Sequence, residues 1–113
     1  VIHTDAPVVG TDADGTVDLT QIAGNNGYTT GGENITFNST RSGATLTATA
    51  VDVVWTAVTG NLGSSTTGRY FSIYDDTSVG NSLLCSYDYG ATFTVAVGET
   101  MSVDFGASLF TLA

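Results

Sequence analysis

A chain of 113 residues with 11 acidic side chains, two arginines and no lysine has a formal net charge of −9 and room for one hydrophobic core. That surface lacks the clustered cations that displace counterions from nucleic acid or dock on anionic lipid, which argues against DNA, RNA and membrane surfaces as direct partners. Cys85 is the only cysteine, so no intrachain disulfide framework exists, and inside Leu83-Leu84-Cys85 it reads as a small buried side chain.

Taken from the start, VIHTDAPVVG sets Val1, Ile2, Val8 and Val9 around Pro7. This extended apolar pattern reads as an arm over residues 1–10 that docks on a neighbouring subunit, with an edge strand of the domain itself as the alternative. The opening at Val1 rather than methionine leaves an initiator residue or a longer leader open. No stretch approaches the length of a membrane-spanning helix.

Next, TDADGTVD carries Asp12, Asp14 and Asp18 around Gly15, the residue types of a calcium loop. The spacing fails: with Asp14-Gly15 in the middle of an EF-hand loop, Gly10 falls at its first position and Gln21 at its last, where a bidentate glutamate is needed. An exposed acidic turn is the better reading, and no metal ligand is assigned.

Val17–Ile22 and Asn34–Phe37 are candidate strands on either side of the turn-rich GNNGYTTGGEN. From Ala44, ATLTATAVDVVWTAV alternates threonine with small or apolar residues, then becomes continuously apolar at Val53-Val54-Trp55. This predicts a strand pair or one strand broken near Asp52. GNLGSSTTG follows as a surface connection. RYFSIYD then predicts a half-buried strand with Phe71 and Ile73 on one face and Tyr70, Ser72 and Tyr74 on the other. Ser82–Tyr87 is a shorter strand. ATFTVAV and TMSVDF, joined at Gly98-Glu99, predict a β-hairpin through a type II′ turn. Leu109–Leu112 closes the core beside an earlier strand.

Short strands separated by turns at about ten-residue spacing define an all-β domain: an antiparallel β-sandwich of jelly-roll or immunoglobulin-like type, or a small barrel.

Chemistry is sparse along this frame. Asp75 and Asp76 are adjacent, so in a strand they face opposite ways and form no carboxylate pair; with Thr77, Ser78 and Gly80 they make a turn. His3 is the only histidine, and no nucleophile-elbow pattern surrounds any serine, so neither a Ser-His-Asp nor a Cys-His arrangement is expected. Gly31-Gly32 precedes no helix and is not a phosphate loop. Asn34-Ile35-Thr36 and Asn38-Ser39-Thr40 match the N-glycosylation pattern. Trp55, among Val53, Val54 and Val58, is expected in the core. Tyr87 and Tyr89 flank Asp88 on one strand face and are the candidate exposed contact patch, ahead of Tyr70 and Tyr74. No catalytic residue and no cofactor is expected.

The segments DVVWTAVTG, RYFSIYDD and GNSLLCSYDYGATFTVAVGETMSVDFGASLFTLA, over residues 52–113, resemble small β-rich virion proteins from the structural modules of tailed bacteriophages. Upstream, NGYTTGGENITF resembles their Gly-Tyr and Gly-Gly segment. The resemblance implies a non-enzymatic particle component: a head decoration or cement protein bridging capsomers on the outer surface of the capsid, or a tail or fibre component. Its partners would be the major capsid protein or another virion protein, with self-association or symmetric multi-copy assembly. The motifs are strand cores and turns, so no functional residues carry over. A carbohydrate-binding module is the reading from a different class.

Overall fold

A computed structural model describes residues 1–8, 18–64 and 67–112. The strands are β1 Ile2–His3, β2 Phe37–Ser42, β3 Thr45–Ala50, β4 Val53–Thr56, β5 Gly68–Tyr74, β6 Leu83–Phe93, β7 Thr100–Val103 and β8 Phe110–Leu112. Among the described residues there is no helix. All strand pairs are antiparallel and build three sheets, β1-β5-β6, β2-β3-β8 and β4-β7. None closes into a barrel, so the fold is the expected all-β sandwich rather than the barrel alternative.

The core explains the connections. Ile2, Ile22, Tyr28, Val53, Trp55, Ala57, Leu62 and Val95 form one buried cluster, with Phe71, Phe93, Met101 and Val103 packed partly against it. In the β4-β7 pair Val53 lies opposite Val103 and Trp55 opposite Met101, so one sheet face carries all four. Tyr28 ties the N-terminus to this cluster: its hydroxyl accepts from the Ile2 amide at 3.0 Å and donates to Gln21 Oε1 at 3.2 Å. Burial pushes the Tyr28 phenol up to about 12, which keeps it neutral and able to donate.

Several elements differ from the sequence reading. β1 pairs with β5, Ile2 opposite Phe71 and His3 opposite Tyr70, and both residues are fully buried. The first residues are therefore part of the chain's own sheet and not an arm. An extended apolar segment finds its cheapest hydrogen-bond partners on the nearest free sheet edge, here that of β5. Val9 and Gly10 lie outside the described residues. Of the expected strand Val17–Ile22, Val17 lies outside the described residues and residues 18–22 form an isolated bridge between Gln21 and His3 in place of a strand. The 60–68 connection is not merely superficial, because Leu62 is buried and its amide donates to the Val95 carbonyl at 3.0 Å.

The hairpin expected across Gly98 does not form. Ala91–Phe93 belongs to β6 against β5, whereas β7 pairs with β4. A turn does close at this point: the Glu99 amide donates to Ala96 at 2.9 Å, and Gly98 has φ 84° in the third turn position. That places the positive φ where type II, not type II′, needs it. The Gly98 amide and the Glu99 carbonyl then pair with Ala57, extending the β4-β7 ladder. An isolated two-stranded hairpin is marginal in water, whereas pairing with β4 buries Trp55 under Met101. A tight two-residue hairpin does form at β2–β3, six residue pairs in unbroken register around Gly43-Ala44. Gly43, with φ 60° at the first central position, makes it a type II′ turn.

Candidate functional site

Two arrangements hold chemistry, and the first is a polar chain centred on His3. Its ring is fully buried, Nδ1 lies 2.8 Å from the Asp5 carbonyl oxygen and Nε2 lies 2.6 Å from Ser72 Oγ. A carbonyl only accepts, so Nδ1 carries the proton and Nε2 accepts from the Ser72 hydroxyl. Ser72 Oγ then accepts from Ser86 Oγ at 2.5 Å. β1, β5 and β6 set this up through register, since Ser72 stands directly opposite Ser86 and diagonal to His3.

The sequence reading expected no Ser-His-Asp grouping, and the fold brings these residue types together. Their geometry is nonetheless that of a satisfied buried histidine. The Asp5 carboxylate accepts from Thr20 N at 2.9 Å and Thr20 Oγ1 at 3.0 Å, and stands 3.7 Å from Nδ1, which faces the backbone carbonyl instead. Ser72, the serine in contact with the imidazole, is buried and has its hydroxyl engaged on both sides. A nucleophile needs an exposed oxygen next to its base, and the exposed serine here, Ser86, reaches His3 only through Ser72.

Desolvation holds His3 below the ordinary imidazole value, opposed by the Asp5 carbonyl and carboxylate and aided by the nearby N-terminal charge. As pH falls through about 6.5 the unfolded chain therefore takes up a proton before the folded one does. Stability contributed by neutral His3 is full above that pH and is lost below it, until folded His3 itself titrates. Tm measured from about pH 8 to pH 5 should fall with acidification below about 6.5. In His3→Gln that component should be absent, and an identical slope in both proteins would refute the assignment. Asp5, Asp75 and Asp88 are all held below the usual carboxylate range, so their contributions are lost only in more acidic solution.

The second arrangement is an open apolar groove between the sheets. One part, of about 600 Å³, is lined by Trp55, Phe71, Tyr87, Met101, Val103 and Phe105 among others. A second part, of about 870 Å³, includes Phe37, Ile73, Leu84 and Phe110, and the two share Val1, Glu33, Ile35, Ser72, Ile73, Cys85 and Leu109. Aromatic rings run from the core to its mouth: Tyr28 to Trp55 at 6.1 Å, Trp55 to Phe71 at 6.4 Å, Phe71 stacked on Phe93 at 5.3 Å, and Tyr89 edge-on to Phe93 at 5.3 Å. The buried Trp55 Nε1 finds no acceptor among the described residues.

The β2-β3-β8 sheet contributes one wall through Phe37 of β2 and Phe110 of β8. Cross-strand pairing places Phe37, Leu46, Ala48, Phe110 and Leu112 on one face together with Ser39 and Arg41, and Asn38, Thr40, Thr45, Thr47, Thr49 and Thr111 on the other. The threonine face is an ordinary solvated surface. The apolar face is incompletely covered, with Phe37 53% exposed, Phe110 44% and Leu112 57%. This sheet carries Arg41 and no acidic residue, whereas Glu33, Asp75 and Asp76 line the groove from outside the sheet.

Trp55 is buried and Tyr87 and Tyr89 are 65% and 52% exposed, as the sequence suggested. Cys85 is exposed, contrary to expectation, because β6 is an edge strand and its Leu-Leu-Cys run lacks a covering layer. Asp75 accepts from Thr77 N and Oγ1, the turn role assigned to it. Asp76 and Asp18 are exposed, and Asn34 and Asn38 lie on the surface. Asp12, Asp14 and Gly15 fall outside the described residues. Gly31 and Gly32 both adopt positive φ in a loop pinned by Tyr74 Oη, which donates to the Gly31 carbonyl at 2.7 Å. Sequence reasoning missed the groove, although the alternation of Leu46, Ala48, Phe110 and Leu112 with threonine marks the apolar face of the sheet beside it. It also missed the Arg69–Asp88 bidentate pair, two bonds of 2.9 Å across β5 and β6.

Fold and groove together define a small antiparallel β-sandwich left open along one side. No family model matches the chain, and no curated protein or solved structure matches it either.

Proposed function

We propose that the protein is a non-enzymatic structural component of a bacteriophage virion, a decoration or cement protein that bridges capsomers on the outer surface of the head. The observation that carries this reading is the uncovered apolar face of β2-β3-β8, a surface suited to burial against a neighbour. The resemblance over residues 52–113 supplies the virion context. The net charge of −9 favours the outer face of a shell over a lumen filled with nucleic acid. Bridging adds buried contact area between neighbours and so resists internal pressure. A tail or fibre location uses the same surface. Purified chain added to particles lacking their native copy should bind saturably on the head, with electron microscopy locating it. Absence of binding to any part of the particle overturns the reading.

The exposed Tyr87 and Tyr89 favour a second reading, a carbohydrate-binding module, since flat aromatic faces stack on sugar rings. Retention on a glycan column, lost in Tyr87→Ala, would select it.

A further inference from the structure

We propose that the open groove is covered by a second copy of this chain, in a two-fold pair in which the β2-β3-β8 sheet of each copy packs against the groove of the other. This deepens the assembly reading and rests on it only for the surface concerned, not for the virion.

Area supports a macromolecular occupant. Phe37, Leu84, Phe110 and Leu112 are 53%, 65%, 44% and 57% exposed. The first three line the groove, and Leu112 shares a sheet face with Phe110, two residues away. Together they leave roughly 400 Å² of side chain in water, taking ordinary areas for these residue types. One side of a standard interface buries about 800 Å², somewhat over half of it apolar. The four side chains therefore supply most of the apolar share of such an interface.

Charge selects a second copy. Two chains of −9 repel over most of their surfaces, and acid-free ground is needed for them to approach. The β2-β3-β8 wall is that ground, and its Arg41 is exposed, donating through Nε to the Gly43 carbonyl at 2.9 Å. Outside that sheet the groove lining carries exposed Glu33 and Asp76. A two-fold operation brings the arginine wall of each copy to the acidic lining of the other, and the contact is made twice. Each copy thus provides both halves of a complementary pair.

Sedimentation of the full chain at tens of micromolar should give a dimer, or a larger assembly built from it. Phe110→Asp should shift it to monomer while the far-ultraviolet β signal and cooperative melting persist, because Phe110 is exposed and outside the core cluster. Arg41→Glu should weaken the pair at least tenfold, and Asp76→Arg in the same chain should restore part of the loss. A wild-type chain that stays monomeric at about 100 µM overturns the inference. So does a Phe110→Asp chain that dimerises as the wild type does. Saturable particle binding by a strictly monomeric chain would refute the second copy while leaving the virion reading intact. A dimer that binds no particle would do the reverse.

Discussion

Trp55→Ala is expected to destabilise the protein by about 3–5 kcal/mol and to lower Tm by roughly 12–20 °C. Trp55 is 4% exposed, stands opposite Met101 across β4 and β7, and lies within ring contact of Tyr28 and Phe71. Its removal leaves a cavity shared by all the elements that meet in the core, which cannot collapse without moving two sheets. A domain of this size has total stability on the order of 10 kcal/mol, so the loss is a large part of the whole. Trp55→Phe should lose much less, since the ring keeps most of its contacts and the unpartnered Nε1 disappears. Urea unfolding of the two variants checks both figures. A midpoint for Trp55→Ala close to wild type would remove Trp55 from its central place.

Removing Val1, Ile2 and His3 is expected to unfold the domain at ordinary temperature, and Ile2→Ala alone to cost about 2–5 kcal/mol. Ile2 is fully buried, and its Cγ2 lies so close to Gly68 that a Cβ there would approach it to 2.6 Å. The deletion also strips β5 of one of its two ladder partners, leaves the Tyr28 hydroxyl without the Ile2 amide, and takes His3 from buried Ser72. Unpaired polar groups in the interior add to the lost apolar burial. Circular dichroism melting decides between this and the arm expected from sequence, for which the truncated chain would melt as the full chain does.

How far the sequence carried can be read from particular residues. Period-two alternation in RYFSIYD and TATAV reports which side chains share a face, and the break at Asp52 separates β3 from β4 where expected. Trp55 among valines is recognisably core, because burial of so large an apolar surface is the strongest local preference on offer. Alternation does not report partners. TMSV reads the same whether it pairs with the strand before it or with β4, and the Gly98 turn serves either outcome.

The candidate surfaces depended on those choices. Composition alone determined an acidic, lysine-free chain without an intrachain disulfide, and strand vocabulary determined the all-β class. Both are properties of residues counted singly or by local period. Only the tertiary structure decided that His3 is buried against Ser72, that the first three residues complete a sheet, that Cys85 is exposed, and that β2-β3-β8 leaves an apolar face uncovered. These depend on pairing between strands distant in the chain, where the gain from burial must exceed the loop-closure cost of each competing register.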